Sequence, residues 1–248
     1  MEKSVANEVD AHALVYKAGG ISSITIAALY VIMGLLYVFG STWPEGGENW
    51  LRYLSVHATE WWTFLVLSVI SDVFILTAAW ALWVALRKTS KDGMMLGCML
   101  LLLYVALDLS VTWPSFYSLL NLSARYTTSV SETETRLIVA NANAAYDLLT
   151  SGWIQLYNIL APSLGILAIG MVMLRGHFGK TVGYLGVSTG VVGTAAVVGP
   201  YVISDLSILV IVVSVLLMMW SFFVGLELLA LSRKVGGLTP EKLPADSD

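Results

Sequence analysis

Two aspartates, Asp72 and Asp108, stand inside long apolar stretches of the sequence, where acidic side chains are rare. A charge at the centre of a lipid bilayer costs about 3 kcal/mol or more, so such residues are expected to face the interior of a helix bundle. Asp72 lies 15 residues before Arg87, and Asp108 lies 15 residues after Gly93, on the far side of the same short loop. Because an α-helix rises about 1.5 Å per residue, the two carboxyls are predicted to lie at the same depth on adjacent helices.

Polar side chains accompany the two aspartates at the spacing of one helix face, which is three or four residues. On the second helix Ser68 lies four residues before Asp72, and Ala79 lies seven residues, or two turns, after it. The spacing repeats on the two helices that follow, through Tyr104, Asp108, Thr112 and Ser115 and then through Asp147, Ser151, Ile154, Asn158, Ala161 and Gly165. Three helices are therefore predicted to turn a polar seam toward one interior. The candidate residues for binding a ligand or a proton are Asp72, Asp108, Tyr104, Asn158, Tyr157 and Thr112.

The aspartate pair has two interpretations, and the sequence leaves both open. In the first, the two carboxyls share a proton, because two like charges in a low dielectric cannot both ionise. Such a pair would gate the movement of a proton or cation, or would bind the polar group of a lipophilic ligand. In the second, each neutral aspartate bonds to Tyr104, Asn158 or a serine and only links helices, which contributes about 1 kcal/mol.

Two prolines mark positions where the helix backbone is expected to change. Pro162 interrupts the fourth apolar stretch near its centre, beside Tyr157 and Asn158, and frees backbone carbonyls there. Such a break either lines a ligand cavity or is purely structural. Trp113 and Pro114 are predicted to close the third helix at the outer membrane boundary, where tryptophan is a common anchor. The alternative is a place for Trp113 in the mouth of a ligand site.

The fifth apolar stretch carries a stripe of glycines at spacings of four, three, four and three residues, namely Gly179, Gly183, Gly186, Gly190 and Gly193. Small residues let a neighbouring helix approach closely. Gly183, Gly186, Gly190 and Gly193 are therefore predicted to pack helices, either within the bundle or between the subunits of a homo-oligomer. Glu227, near the inner boundary, is predicted to reach the interface or to pair with a basic neighbour.

The composition excludes several classes of protein. Hydrophobic residues make up 57% of the chain, charged residues 12%, and the mean hydropathy is +0.79, so the solvent for most of the chain is lipid. A net charge of −4 without a basic stripe argues against nucleic acid as a partner. One cysteine and three histidines predict no disulfide framework, no metal site and no cofactor. Because nucleophile and phosphate-loop motifs are also missing from the sequence, an enzyme is the weakest class.

The hydrophobic pattern predicts an all-α polytopic membrane protein. A helix needs about 20 apolar residues to cross a hydrocarbon core of about 30 Å, and six stretches are long enough: 20–40, 62–86, 94–119, 148–174, 182–202 and 207–231. With both termini in the cytoplasm, ten lysines and arginines fall on the inner side and three on the outer side. Cytoplasmic loops retain basic residues, so this orientation is favoured.

The segments outside these stretches differ in character. Residues 1–18 are predicted to be a cytoplasmic segment, 19–234 the six-helix transmembrane domain, and 235–248 a disordered tail. The extended outer segment between the third and fourth spans contains a capping box, Ser131 to Glu134, and the helix that it starts is expected to run on into the fourth span. Four aromatic residues of the first outer segment are expected to form an interfacial belt: Trp50, Tyr53, Trp61 and Trp62.

Four short motifs resemble a known family. They are DLSVTWP at 108–114, APSLGIL at 161–167, GMVMLRG at 170–176 and GYLGV at 183–187. The chain resembles, over about residues 20–234, prokaryotic six-helix membrane proteins of, or near, domain of unknown function 4386. The resemblance implies the six-helix fold and a multi-pass location in the prokaryotic inner (plasma) membrane, and it brings no activity or catalytic residue with it.

Three functions remain as hypotheses. The first is a protein of the lipid bilayer that binds or transports a proton, a cation or a lipophilic small molecule at the polar seam, and it predicts a cavity that reaches Asp72 and Asp108. The second is a structural or assembly protein without a ligand. The third is an enzyme that modifies a lipid, for which the same two aspartates would have to be acid and base.

Overall fold

The chain folds entirely into helices over the residues that the computed structural model describes, which are 2–39, 44–176, 178–199 and 208–237. The α-helices are α1 (Glu2–Phe39), α2 (Gly47–Val56), α3 (Ala58–Leu86), α4 (Lys91–Leu107), α5 (Trp113–Thr128), α6 (Glu132–Leu149), α7 (Gly152–Gln155), α8 (Ala161–Met173), α9 (Lys180–Val198) and α10 (Ile208–Gly236). Two single π-helical turns, π1 (Asp108–Thr112) and π2 (Leu156–Leu160), join α4 to α5 and α7 to α8.

Six segments of the described chain are long and apolar enough to cross a membrane, which confirms the predicted all-α architecture with six spans. They are Ala11–Leu36, Ala58–Leu86, Lys91–Thr128, Gly152–Met173, Lys180–Val198 and Leu209–Gly236. The predicted span limits at residues 40, 202 and 207 lie outside the described residues, as do residue 1 and most of the predicted tail. Large apolar side chains such as Trp80, Leu102 and Val191 are more than half exposed on the outside of the spans, where lipid would cover them.

The six spans form a closed ring. α1 packs between α10 and α3, α4 packs between α3 and α8, and α9 completes the ring between α8 and α10. The start of α1 and the end of α10 meet, since the hydroxyl of Ser232 donates to the carbonyl of Ala13 at 2.8 Å. We call this end of the bundle the inner side, following the orientation that the charges predict. Residues 2–18 continue α1 without a break.

Two apolar clusters form the core of the molecule. The inner cluster fills the ring and includes Leu82, Leu86, Met94, Ile169, Met173, Val224 and Leu228. The outer cluster includes Trp50, Leu51, Leu54, Trp61, Leu65, Leu119, Leu120, Leu122, Ile138 and Ala142. On α3, Asp72 stands between the residues of the outer cluster and those of the inner one, so the polar seam separates the two clusters.

The outer cluster belongs mostly to a small helical unit, the outer cap, which consists of α2, α5 and α6 packed on one another. The span that contains α4, π1 and α5 has 38 residues. At about 1.5 Å per residue it is far longer than a hydrocarbon core of about 30 Å, so α5 projects beyond the membrane. Two bonds tie α2 to its neighbours: the hydroxyl of Ser123 donates to the carbonyl of Leu51 at 2.7 Å, and the amide of Gly47 donates to Asn143 Oδ1 at 2.9 Å.

The prediction that the helix beginning at Glu132 runs on into the fourth span is wrong. α6 begins at Glu132 but ends at Leu149, and Ser151 has an extended backbone. At the end of α6 the hydroxyls of Thr150 and Ser151 donate to the carbonyls of Tyr146 and Leu148. The break separates Asp147 from the seam, and the residue is exposed on α6.

The predictions of a capping box and of an aromatic belt are each wrong for two of their residues. The side chain of Ser131 makes no capping hydrogen bond at the start of α6. Glu134, the other member of the box, pairs with Arg125 at 3.4 Å, because the antiparallel α5 brings that guanidinium alongside. Trp50 and Trp61 are 5% and 8% exposed and lie in the outer cluster instead of a membrane interface, since α5 and α6 cover them.

The glycine stripe of α9 faces other helices of the same chain. A Cβ atom at Gly190 would lie 2.6 Å from the carbonyl oxygen of Ser163 on α8, and one at Gly186 would lie 2.8 Å from Trp220 Nε1 on α10. Gly183 and Gly193 likewise approach side chains of Leu174 and Ser163. These contacts occupy the stripe within one subunit, and a homo-oligomer stays a prediction.

Glu227 lies beside the start of α9. One of its carboxylate oxygens accepts a hydrogen bond from the backbone amide of Gly179 at 3.3 Å, and Gly179 is the residue that precedes the first turn of that helix. A carboxylate at this point complements the unpaired amides of the helix end.

Candidate functional site

The two π turns arise where a proline follows closely in the chain. Pro114 stands two residues after the end of π1, and Pro162 stands two residues after the end of π2. Proline has no amide hydrogen, and its ring collides with the carbonyl four residues earlier. The wider turn avoids that collision, and the amide of Trp113 bonds to the carbonyl of Asp108, five residues back. The helix therefore continues through Trp113 and Pro114, so the prediction that it closes there is wrong.

Both predicted aspartates lie in the interior of the bundle. Asp72 on α3 is 0% exposed and Asp108 at the start of π1 is 2% exposed. Their carboxyls lie within electrostatic reach of one another. Single-turn π insertions occur frequently at functional sites, and here one of them carries an acidic member of the pair.

The other four predicted residues surround Asp108. The side chains of Thr112, Tyr104 and Asn158 approach its carboxyl. The hydroxyls of Thr112 and Tyr157 lie 3.1 Å apart, and Asn158 Nδ2 donates to Thr112 Oγ1 at 3.4 Å. These bonds join π1 to π2, so the structure brings all six predicted residues into one polar group, which we call the carboxyl site.

Sequence reasoning missed two members of the carboxyl site. The indole of Trp113 donates to Asp72 Oδ2 at 2.7 Å, so this residue lies in the site. The membrane boundary was the first expectation for Trp113, and the mouth of a ligand site was the alternative. Tyr30 on α1 brings its hydroxyl beside those of Tyr104 and Ser71. Tyr30 could have been identified because it places a hydroxyl within the first apolar stretch. Trp113 could have been identified because the proline that follows it can change which face of the helix the tryptophan occupies.

The carboxyl site contains acceptors that lack donors. Among the described residues, no hydrogen bond reaches Asp72 Oδ1, Asp108 Oδ1 or the amide oxygen of Asn158, although all three atoms are buried. The ion pairs of the described chain all lie elsewhere, in or beside the outer cap. Buried acceptors without partners are rare in folded proteins and call for a proton, a water molecule or an ion.

The chemistry of the site follows from its oxygen atoms. Two carboxyls, an amide and several hydroxyls present hard ligands that suit a proton or a small cation. Within the described residues, no cluster of three or more histidine, cysteine or acidic side chains is arranged to hold a metal ion. Tyr and Thr hydroxyls both donate and accept, so the group is able to relay a proton along its hydrogen bonds.

A cavity of about 450 Å³ lies in the outer cap, away from the carboxyl site. It is lined by Leu122, Arg125, Ser131, Thr133, Glu134, Leu137, Ile138 and Asn141. Neither aspartate reaches it. The space predicted for a lipophilic ligand is therefore not provided by this cavity.

No family model matches the chain, and no curated protein and no solved structure matches it either. The resemblance to domain of unknown function 4386 is accordingly unsupported, whereas the six candidate spans stand on their own length and composition.

Proposed function

We propose that this integral membrane protein binds a proton between Asp72 and Asp108 and exchanges it with the aqueous phase. The observation that carries the proposal is the burial of two carboxyls within electrostatic reach of one another, each with an oxygen that no donor reaches among the described residues. A single proton held by the pair removes one of the two negative charges and supplies a donor hydrogen at a site where buried carboxyl oxygens lack one. Ionisable residues that face a bundle interior commonly serve in proton relays.

The side chains around Asp72 and Asp108 favour a very small ligand, such as a proton. Trp113 contacts Asp72 directly, and Thr112, Tyr104 and Asn158 approach Asp108, so side chains lie close against both carboxyls. The cavity in the outer cap does not reach them. A proton needs no cavity, and a small cation in its place needs little. The inner-side orientation of the termini and a plasma-membrane location are parts of the same proposal, supported by the charge distribution of the loops.

Proton uptake by the purified protein in lipid nanodiscs tests the proposal. The variants are Asp72→Asn, Asp108→Asn and the double substitution, with Asp92→Asn and Asp147→Asn as matched controls at exposed positions. After an acid pulse into weakly buffered solution, the wild type and both controls should take up one proton more than the double variant. Equal uptake by the wild type and the double variant would remove the pair from the mechanism.

A structural role is the second candidate, and the bonds between helices favour it. Trp113 with Asp72 ties π1 to α3, and Thr112 with Tyr157 ties π1 to π2. If the carboxyl site serves only to join helices, the wild type should bind no extra proton and the double variant should lose thermal stability. Native mass spectrometry of the gently purified protein would reveal a lipophilic ligand, which neither candidate requires.

A further inference from the structure

The two aspartates of the carboxyl site have different neighbours. Asp72 Oδ2 receives the indole N–H of Trp113 at 2.7 Å. Asp108 is approached by the hydroxyls of Thr112 and Tyr104 and by the amide of Asn158. A hydroxyl rotates to donate or to accept, whereas an indole nitrogen is a donor only. The neighbours of Asp108 can therefore adjust to a proton on either of its carboxyl oxygens. The neighbour of Asp72 Oδ2 cannot adjust in this way.

The restriction follows from the chemistry of the indole. An oxygen that faces an N–H at 2.7 Å cannot itself carry a hydrogen directed at that nitrogen. Because Oδ2 already accepts the indole N–H, protonation of Asp72 is favoured at Oδ1, which is the atom that no donor reaches among the described residues. We propose that Trp113 is a positioning residue that confines the proton to Oδ1 of Asp72 and favours the charged form of that carboxyl. This inference rests on the proposed function.

The π turn explains how Trp113 reaches Asp72. In an α-helix, residues five apart point about 140° away from each other, because each residue turns the chain by about 100°. In π1 the bond from the Trp113 amide to the Asp108 carbonyl spans five residues, so the two side chains come close to the same face. Both then face α3, where Asp72 lies. The proline that forces the turn thereby sets the position of the donor.

An aromatic column holds the indole in place. The ring of Trp113 lies 5.9 Å from that of Phe116 and 6.3 Å from that of Phe64. Phe116 stacks on Trp61 at 5.7 Å, and Trp61 contacts Trp50 at 5.3 Å. The column runs from the carboxyl site into the outer cluster, and its rings exclude water from the outer side of Asp72. A fixed donor in a dry site is the condition under which such a bond acts most strongly.

The other groups that face the pair do not replace this donor. The titratable groups around Asp72 are Asp108 on π1, Tyr30 on α1 and Tyr104 on α4, with Tyr157 on π2 beyond Asp108. None of these groups is a cation, and each tyrosine hydroxyl can act either as a donor or as an acceptor. The hydroxyls can turn toward other acceptors, whereas the indole N–H of Trp113 donates to Asp72.

The test is the pH profile of proton uptake in nanodiscs for Trp113→Phe, with Trp80→Phe as the matched control. Trp113→Phe removes the donor, so half-uptake should move to higher pH by about one unit, which corresponds to a tenfold tighter hold on the proton. Trp80→Phe makes the same change of side chain on α3, at a position that is 60% exposed and outside the aromatic column, so it should leave the profile unchanged.

A second substitution separates the donor from the shape of the ring. If Trp113→Phe fails to fold, a tryptophan analogue with sulfur in place of the ring N–H keeps the shape at position 113 and should give the same shift. A profile identical to that of the wild type in either variant would overturn the positioning role and leave the proposed function intact. Absence of any uptake that depends on Asp72 and Asp108 in the wild type would instead overturn both.

Discussion

Acidic side chains have different partners in the outer cap and in the carboxyl site: arginines pair with them in the cap, and none does so in the carboxyl site among the described residues. In the cap, Glu48 accepts bonds from Arg52 at 2.7 Å and from the Tyr126 hydroxyl at 2.9 Å. Other cap carboxylates pair with Arg125 and Arg136. In the bundle, Asp72 and Asp108 are buried within electrostatic reach of one another, and no ion pair reaches them among the described residues.

The difference shows what each environment permits. Water solvates the charges of the cap, so its ion pairs contribute little to stability and their loss is tolerated. Lipid does not solvate charges, so a second carboxyl beside the first costs free energy that nearby hydroxyls only partly recover. A fold that keeps such a pair without a counter-charge sacrifices stability at that position, which is typical of functional sites.

The largest effect that we expect comes from Leu51→Ala in the cap. Leu51 is 0% exposed in the outer cluster, and removing a buried leucine side chain lowers the free energy of unfolding by about 2 to 5 kcal/mol. If the cap and the ring are separate in stability, hydrogen exchange should accelerate in α2 and α6 and stay unchanged in α8 and α9.

The control for that experiment is Leu102→Ala, because Leu102 is 55% exposed on the lipid-facing side of α4. Its exchange rates should match those of the wild type. Equal acceleration of cap and ring in Leu51→Ala would show that the two regions unfold together, and the comparison between them would lose its basis.

An effect of opposite sign is expected from Asp108→Asn. The amide keeps the shape of the side chain and the neighbours Thr112 and Asn158, while it removes one of two adjacent acidic groups. Two carboxyls within electrostatic reach in a low dielectric disfavour one another's charged forms, so removing one of them should raise the free energy of unfolding by about 1 kcal/mol. Thermal unfolding in detergent at neutral pH, with Asp147→Asn as the exposed control, provides the measurement. A loss of stability in Asp108→Asn would mean that the aspartate is there to join helices.

The spans and the two aspartates were predictable because their signals are local. Twenty apolar residues fix a span, and an acidic residue inside one must face the interior, so Asp72 and Asp108 needed no knowledge of neighbours. The places of Tyr30 and Trp113 in the carboxyl site depend on how helices turn and pack, which no local sequence pattern indicates directly. Proline ends, kinks or widens a helix, and which of these occurs at Pro114 decides whether Trp113 faces the membrane boundary or Asp72.

The break between α6 and α7 escaped prediction for a similar reason. Thr150 and Ser151 are compatible with a helix, so the sequence gives no strong signal for the end of α6 at Leu149 or for the extended backbone at Ser151. The burial of Trp50 and Trp61 likewise depends on α5 and α6 folding back over α2, which hydropathy does not indicate.

The smallest effect belongs to Glu48→Gln in the cap and is confined to acid pH. Hydrogen bonds from Arg52 and then from Tyr126 hold the pKa of Glu48 below its ordinary value of 4.5. A carboxyl whose folded pKa is lowered contributes stability that is complete above the unfolded value and is lost as pH falls through the folded one. Below pH 4.5 the wild type should therefore lose stability with acid slightly more steeply than Glu48→Gln, which has no proton to take up.

Thermal unfolding at a series of pH values, at low and high salt, measures this small difference in slope. Glu60→Gln is the control, since Glu60 lies 3.9 Å from its nearest partner, His57, on an exposed surface. Added salt should reduce the difference for Glu48, because exposed ion pairs are screened. Equal acid slopes for wild type and Glu48→Gln would mean that the folded cap holds this carboxylate no more firmly than the unfolded chain does. The contrast between cap and carboxyl site would then depend on the aspartates alone.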